Sequence, residues 1–450
     1  MLRAIMAFFR TGPDRPMMSE DPLRIRRMYE HMRWSVFLSV TLGYGFFYVI
    51  RTNFAVVKKP MLDEGIFTTT EMGLIGSAFL AVYALGKLLN GFLSDRANVR
   101  RFMATALLLG ALVNLQLGSS RSFTTFLVLW GLNGWLLSVG SAPSVVALSQ
   151  WFSPREMGTR YGVWSISHSL GEGLTFIVTA AMVADFGWEW GFRGPALLCI
   201  GAALVLFQTL ADRPQTYGLP PVTTYKNDHP PVQQASSGMS VGRLQLEVLK
   251  NPAIWILGLS AATMSVARYG INNWGVLYLQ ETKGYSLKEA GTVLAAYPVA
   301  AMIGAALSGL LSDRFFGARR NWPALLTGIV EAVALVALVL VPPGHVILDA
   351  TILAVFGLSL GALLVYLGGL MAVDLAPKRA AGAAMGVIGA FAYAGAAIQD
   401  TVSGWLLDNG KVVESAVTRY DFTPVIVFWI GASLLSILLT LTVWNARAQE

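Results

Sequence analysis

The segment that decides the fold occurs twice, as GFLSDRANVRR at residues 91–101 and as GLLSDRFFGARR at residues 309–320. Each copy follows an apolar run and ends in paired basic residues, which predicts a tight turn between two helices. The acidic residues of the two copies, Asp95 and Asp313, lie 218 residues apart. In such a turn the acid can cap a helix N-terminus or pair with a basic residue. The duplication indicates that the chain consists of two similar halves.

Two further matches support the duplication. The segment SPREMGTRYGV, which contains Gly158, aligns with APKRAAGAAMGV, which contains Gly382, at an offset of 224 residues. Arg51, in GYGFFYVIRTNF, corresponds to Arg268, in ATMSVARYGINNW, at an offset of 217 residues. Matches at nearly one offset predict two parallel repeats, an architecture known for carriers that bind their substrate at the midplane between the halves.

The composition is that of a membrane protein. Of the 450 residues, 55% are hydrophobic and 13% are charged, whereas about 25% are charged in soluble domains. This excludes a soluble enzyme. The net charge of +7 belongs mostly to loops on one side and does not indicate nucleic-acid binding. Cys199 is the single cysteine, which excludes a disulfide framework and a thiolate metal site. We find no nucleotide-binding loop of the Walker type, so we expect a gradient to supply the energy and no cofactor to be needed.

Twelve apolar runs of about 20 residues are each long enough to cross the bilayer as a helix. They lie near residues 35–60, 72–93, 102–119, 122–146, 160–184, 194–211, 253–280, 288–311, 322–342, 346–374, 381–408 and 422–444. The predicted fold is an all-α membrane protein with twelve transmembrane helices in two pseudo-symmetric six-helix bundles.

Basic residues concentrate in the segments on the side that carries both termini, which predicts cytoplasmic termini by the positive-inside rule. The stretch 212–252 is rich in proline and polar residues and divides six spans from six. The predicted domains are a cytoplasmic N-terminal segment (1–34), an N-terminal bundle (35–211), a cytoplasmic linker (212–252), a C-terminal bundle (253–444) and a cytoplasmic tail (445–450).

Arg51 and Arg268 are the main candidates for a binding site. A charge inside the hydrocarbon costs about 2.5–3.5 kcal/mol or more, so two arginines in register suggest a function. Their planar guanidinium groups suit a phosphate or a carboxylate. The alternative is that they form structural ion pairs with membrane acids, for which the candidates are Glu172, Glu331 and Asp400.

Polar neighbours favour the binding interpretation. Tyr44 and Tyr48 share a helical face with Arg51, and Asn272 lies one turn after Arg268. Lys87, one turn after Tyr83, is either a site residue or a snorkelling side chain.

His168 shares a face with Trp164 and Glu172. Near neutral pH its charge could follow the ionisation of phosphate. It could equally be a satisfied packing group.

Taken together, the motifs resemble the organophosphate:phosphate antiporters of the major facilitator superfamily, which include bacterial glycerol-3-phosphate and hexose-phosphate transporters and a hexose-phosphate sensor. The resemblance covers about residues 24–440. Its most specific segments are GYGFFYVIRTNFAV, YALGKLLNGFLSDRANVRRFM, WFSPREMGTRYGVWSISHSLGEG, DRPQTYGLPPVTTYKND, ARYGINNWGVLYL, LSDRFFGARR and LAPKRAAGAAMGVIGAFAYAG. The resemblance implies a monomer in the bacterial inner membrane.

The resemblance also implies roles for individual residues. Arg51 and Arg268 would grip the phosphate, and the cavity would be lined by Lys87, His168, Tyr44, Tyr48, Tyr83 and Tyr393. The loops containing Asp95, Arg96, Asp313 and Arg314 correspond to the signature loops of the superfamily, with a structural and conformational role. Ser141, Ser165 and Ser265 stand where the family often has larger side chains, so they and Asp400 are candidates for setting selectivity toward an organic moiety larger than glycerol.

We therefore expect a carrier that exchanges a phosphorylated metabolite, such as glycerol 3-phosphate or a sugar phosphate, for inorganic phosphate by alternating access. The partners would be these anions and the lipid bilayer. The first alternative is a membrane sensor of external hexose phosphate. The second is a proton-coupled organic anion carrier, with Asp400 or Glu331 as the proton site.

Overall fold

The computed structural model describes residues 7–17, 21–228, 241–316, 320–375, 381–414 and 417–444. Twelve long helices dominate the described part of the chain and are numbered α1–α12. They are α1 (Pro22–Asp63), α2 (Thr69–Ser94), α3 (Val99–Leu117), α4 (Phe123–Leu137, continued by Ser141–Trp151), α5 (Pro154–Phe186), α6 (Trp190–Thr209), α7 (Pro252–Lys283), α8 (Leu287–Phe315), α9 (Asn321–Leu340), α10 (Val346–Val365, continued by a π-helical turn Tyr366–Leu370 and by Met371–Asp374), α11 (Ala381–Asn409) and α12 (Thr423–Thr442). The shorter elements are a 3₁₀ turn Pro214–Tyr217, the helices Val222–Tyr225 and Val241–Lys250, and the antiparallel strands β1 (Lys411–Glu414) and β2 (Val417–Tyr420).

The prediction of a twelve-helix membrane protein is confirmed. Ten of the helices in the described residues are long and apolar enough to span a membrane, and α3 and α11 complete the set. These two helices are less apolar because α3 has Arg100 and Arg101 in its first turn, and α11 contains Gln399 and Asp400.

The helix boundaries follow local sequence signals. Asp21 accepts a hydrogen bond from the backbone nitrogen of Leu23 at 3.0 Å, and a proline occupies the first turn of α1. These signals start α1 at Pro22, before the predicted span at 35. The second helix of each half starts with a capping box, Thr68 with Glu71 in α2 and Ser286 with Glu289 in α8.

In the first copy of the repeated loop, a residue other than Asp95 caps the following helix. Asp95 ends α2, and Asn98 caps α3 by accepting a hydrogen bond from the Arg101 nitrogen at 3.1 Å. Asp212 reinforces this cap, because its carboxylate accepts from the Val99 nitrogen at 3.2 Å. Of the two roles open to Asp95, capping of α3 is therefore filled by Asn98 and Asp212.

The remaining members of the two loops are on the outside of the bundle. The Arg96 side chain is exposed, and its carbonyl accepts from the Thr11 hydroxyl at 3.2 Å. Arg314 is exposed in the last turn of α8, and the side chain of Asp313 lies outside the described part.

The bundle has two ends, which we call the linker end and the far end. The linker end carries the start of α1, the end of α6 and the start of α7, and the far end carries the turns after α1 and α7. Ion pairs join the halves at the far end: Lys59 with Glu281 at 2.5 Å and Lys288 with Asp185 at 2.6 Å. The far end is therefore closed.

Helices α2 and α11 form the tightest contact between the halves. The hydroxyls of Ser77 and Thr401 are 2.6 Å apart, and Thr70 donates to Asp408 at 2.9 Å. Gly73 and Gly404 permit this approach, because a Cβ on either would meet the backbone of the other helix.

Toward the linker end the glycines of α5 and α11 have open space around them. A Cβ added at Gly158, Gly162, Gly386 or Gly389 would meet no other atom within 4 Å. The halves are thus packed together at the far end and separated at the linker end.

Candidate functional site

The position of Arg51 depends on a kink in α1. Ile50 has non-helical dihedral angles (φ −99°, ψ 15°), so its carbonyl needs a partner outside the helix. The Asn133 side chain of α4 donates to this carbonyl at 2.9 Å. Asn114 of α3 in turn donates to Asn133 at 3.2 Å and accepts from Asn53 at 3.0 Å. All three asparagines are fully buried, so the N-terminal half holds the kink by a buried amide network.

Aromatic hydroxyls surround the Arg51 guanidinium. Its nitrogens donate to the Tyr48 hydroxyl at 3.3 Å and to the Tyr269 hydroxyl at 3.2 Å. The guanidinium carbon also lies 4.3 Å from the ring centroid of Tyr83. Because Tyr269 belongs to α7, this cluster joins the two halves at the middle of the bundle.

Arg268 lies near the middle of α7 and lines a cavity of about 560 Å³ between the halves. Its guanidinium carbon is 5.0 Å from the ring centroid of Tyr269, the same tyrosine that Arg51 contacts. No carboxylate oxygen in the described part lies within 4.0 Å of either arginine. Glu331 instead accepts a hydrogen bond from Ser433 at 3.1 Å. This geometry favours the binding interpretation over simple ion pairing.

The cavity has one polar wall and one apolar wall. The polar wall is α5, which contributes Ser165, His168, Ser169 and Glu172. The apolar wall consists of side chains from α8 and α10, namely Pro298, Ala301, Met302, Ala305, Leu364 and Val365.

Asn272 is in the site, where it meets an acid. Its amide nitrogen donates a hydrogen bond to Glu172 across the interface between α7 and α5. Glu172 also interacts electrostatically with Arg268 and Arg51. The sequence placed Asn272 on the face of Arg268 but could not reveal this partner.

The predicted tyrosines and His168 form two aromatic clusters next to the arginines. Tyr48 lies 5.3 Å from the ring of His168, and Tyr44 stacks on Trp164 at 4.7 Å. The Nδ1 atom of His168 contacts the Ser165 carbonyl, and its Nε2 atom is 3.3 Å from the Ser169 hydroxyl.

The second cluster crosses to the C-terminal half. Tyr83 lies 5.2 Å from Tyr393, centroid to centroid, and the Lys87 ammonium lies 5.5 Å from the Tyr393 ring. Lys87 therefore reaches across from α2 toward α11, as a site residue would.

The three candidate serines are in different surroundings. Ser165 lines the large cavity and donates to the Gly162 carbonyl at 2.7 Å. Ser265 is 1% exposed, and its hydroxyl has no partner in the described part. Ser141 begins the second segment of α4, next to Gly140, whose neighbours are Phe47 and Tyr44.

Comparison with known proteins identifies the family. A sequence model of the Major Facilitator Superfamily matches residues 40–399. The chain belongs to this superfamily. One similar solved structure is a bacterial homologue of the human lysosomal transporter Spinster, in an inward-facing, unoccupied conformation. Its TM-score is 0.77 at 17% sequence identity, and the match covers 93% of this chain and 99% of that chain. That likeness shows the fold.

Closer superfamily relatives confirm the resemblance drawn from the motifs. The membrane sensor protein UhpC of Salmonella typhimurium is 33% identical over 99% of this chain and 98% of its own length. The glycerol-3-phosphate transporter of Bacillus subtilis is 32% identical over 94% of this chain and 95% of its own length.

The protein described here also contains a buried ion pair that we did not predict from the sequence. Lys58 of α1 lies 3.7 Å from Asp400 of α11, and both side chains are 1% exposed. Asp400 further accepts hydrogen bonds from Trp274 at 2.6 Å and from Asn273 at 3.1 Å. The Lys58 ammonium lies 3.4 Å from the Trp274 ring centroid. Asp400 thus faces a buried cation on the far side of Arg51, and it does not line the large cavity.

The helical spacing of Lys58 is the one signal for this pair in the sequence. Lys58 follows Arg51 by two helical turns and therefore shares its face. Lys58 lies inside the predicted span 35–60 but is not among the candidate site residues. In the structure α1 continues to Asp63, so Lys58 remains inside the bundle.

We expect Lys58→Met to destabilise the protein, because it leaves the buried Asp400 carboxylate without its cation. Removing one partner of a buried pair costs about 3–5 kcal/mol, so the apparent unfolding temperature should fall by several degrees. The double variant Lys58→Met with Asp400→Asn should recover most of the loss. The measurement is thermal unfolding of the purified protein in detergent.

The matched control is Lys288→Met. It removes the cation of another ion pair between the halves, but Lys288 and Asp185 are 53% and 52% exposed. Exposed pairs contribute little, so this variant should unfold near the wild-type temperature. Equal shifts for Lys58→Met and Lys288→Met would show that burial of the pair does not matter.

Proposed function

We propose that this protein is a membrane carrier that exchanges a phosphorylated metabolite for inorganic phosphate. The observation that carries the proposal is the placement of Arg51 and Arg268. They come from opposite halves, share Tyr269 as a neighbour, and have no carboxylate within 4.0 Å in the described part. Bidentate guanidinium groups bind phosphoryl oxygens with high geometric specificity. The relative named above as a glycerol-3-phosphate transporter supports the same class of ligand.

Charge gives exchange a physical reason. A phosphoryl dianion compensates most of the positive charge that Arg51, Arg268 and Lys87 bring to the middle of the bundle. An empty site keeps cations without a full counter-charge, and moving such a site through the bilayer interior is costly. Reorientation should therefore be fast with an anion bound and slow without one.

The two ends of the bundle support alternating access. The far end is closed by α2–α11 contacts and by ion pairs, whereas the linker end is open around the glycines of α5 and α11. The excess of basic residues on the linker side supports a cytoplasmic position for this end. The structure would then correspond to a carrier open toward the cytoplasm.

A sensor of phosphorylated sugar is the second candidate. It is favoured by the 33% identity to a protein named as a membrane sensor over nearly the whole chain. Sensor and carrier would use one binding site, so only turnover separates them.

Counterflow in proteoliposomes tests the proposal. Vesicles loaded with labelled inorganic phosphate should release the label when glycerol 3-phosphate, a hexose phosphate or unlabelled phosphate is added outside, and should retain it in buffer alone. Protein-free vesicles serve as the control. Saturable phosphate binding to the purified protein without accelerated release by any compound would favour the sensor.

A further inference from the structure

Glu172 is an acid inside a site that otherwise suits an anion. It is 4% exposed on α5 and lines the 560 Å³ cavity with Arg268. It accepts a hydrogen bond from Asn272, and Arg268 is the cation that lines the same cavity. A hydrogen-bond donor and a cation in the same cavity favour the ionised form of a carboxyl group. A carboxylate there must be compatible with the anion that the carrier binds.

The charges of the site become balanced when Glu172 is counted. Arg51, Arg268 and Lys87 contribute three positive charges, and Glu172 removes one. The remaining two positive charges match a phosphoryl dianion. No positive charge is then left to compensate a further anionic group on the substrate. Among the described lining residues of the large cavity, Arg268 is the permanent cation. Because Arg268 would bind the phosphoryl group, it cannot also compensate a second anionic group.

The cavity beyond Arg268 suits a hydroxylated, uncharged group. Hydroxyls can donate to the Glu172 carboxylate and bond to Ser165 and Ser169 on the α5 wall. The carbon skeleton can lie against Pro298 and Met302 on the opposite wall. A substrate carboxylate would instead meet a like charge and an apolar surface.

We propose that Glu172 sets the specificity of the carrier by binding hydroxyl groups of phosphorylated polyols and by rejecting phosphorylated carboxylates. This inference rests on the proposed function, because it assumes that the arginines hold a phosphoryl group. Repulsion between two unit charges in a partly desolvated site corresponds to roughly tenfold to a hundredfold in affinity. The rejection should therefore be large enough to measure.

Two ligands of matched shape test the inference. Glycerol 3-phosphate and 3-phosphoglycerate share the phosphoryl group and the three-carbon chain, and differ in a terminal hydroxymethyl or carboxylate group. The measurement is their competition with labelled inorganic phosphate for the purified protein in detergent. The wild type should prefer glycerol 3-phosphate by at least about tenfold. Glu172→Gln, which keeps an oxygen to accept from Asn272, should lower this preference by at least about tenfold.

Glu331→Gln is the control, because Glu331 is a fully buried acid on α9 whose neighbour is Ser433. It should keep the wild-type preference. An unchanged preference in Glu172→Gln, or an equal loss of affinity for phosphate and both organic ligands, would overturn the inference and leave Glu172 as a brace between α5 and α7. Because this assay needs no transport, a wild type that binds phosphate but does not exchange it refutes the carrier and leaves the specificity claim testable. A wild type that binds no phosphate refutes both.

Discussion

Arg51→Lys and Arg268→Lys are each expected to reduce phosphate exchange by roughly 100-fold, with the folded protein still inserted in the membrane. Lysine keeps the positive charge but loses the planar fork that places two hydrogen bonds on one phosphoryl group. A hydrogen bond to a charged group contributes about 1.5–3 kcal/mol, and about 2.8 kcal/mol corresponds to a factor of 100. In Arg51, two different guanidinium nitrogens donate to the Tyr48 and Tyr269 hydroxyls, whereas a lysine has a single nitrogen.

The measurement is the initial rate of labelled phosphate exchange in proteoliposomes, normalised to the amount of inserted protein. Arg121→Lys is a suitable control, because Arg121 is 62% exposed and pairs with Glu64 at the surface. Its exchange rate should stay within about twofold of the wild type, since exposed pairs contribute little. Near-normal exchange by both site variants would remove the arginines from the phosphate site.

A disulfide between positions 77 and 401 is expected to abolish exchange, and a reducing agent should restore it. The hydroxyls of Ser77 and Thr401 lie 2.6 Å apart between α2 and α11, so the corresponding pair of cysteines can approach the bonding distance of about 2.05 Å. Alternating access requires the far end to open when the linker end closes. A covalent bond at the far end prevents the first movement and therefore stops the cycle.

A second cysteine pair within one half is the control for cross-linking itself. Ser39 of α1 and Thr209 of α6 also have hydroxyls 2.7 Å apart, and both helices belong to the N-terminal half. Cross-linking these positions should leave exchange near the wild-type rate. The native Cys199 is buried and should not compete. Full exchange by the oxidised 77–401 pair would contradict a mechanism in which the two halves separate at the far end.

The features that could be predicted from the sequence are those that depend on the duplication and on helix-length hydrophobic runs. The register of Arg51 with Arg268 comes from the repeat alone, and the structure places both near the middle of the bundle. The twelve spans follow from hydropathy, because the bilayer requires each crossing to satisfy its own backbone. Tyr48 and Tyr83 follow from helical spacing to the basic residues they accompany.

The features that could not be predicted are contacts between distant helices. The pairing of Lys58 with Asp400 depends on how α1 packs against α11 of the other half. The support of Ile50 by Asn133 depends on a backbone kink that leaves no mark in a hydropathy pattern. The contact of Arg51 with Tyr269 depends on how the halves are docked in this state, which a sequence repeat does not specify.

Because the glycines near the linker end have open space around them, substitutions at these positions can test the opposite conformation, in which the linker end is closed. A methyl group at Gly386 or Gly389 would contact no neighbouring helix in this conformation. An alanine at either position should therefore change the stability of this conformation little, apart from its effect on backbone conformational entropy. Any harm to turnover would then arise where α5 and α11 come together at that end. Because such a residue would disfavour only one state, it would shift the population toward the other. Alanine substitutions along these two helices could therefore identify the residues that come into contact in the opposite conformation, in which the linker end is closed. An alanine that stops turnover without loss of binding would hold the protein in the conformation described here, which would help structural studies.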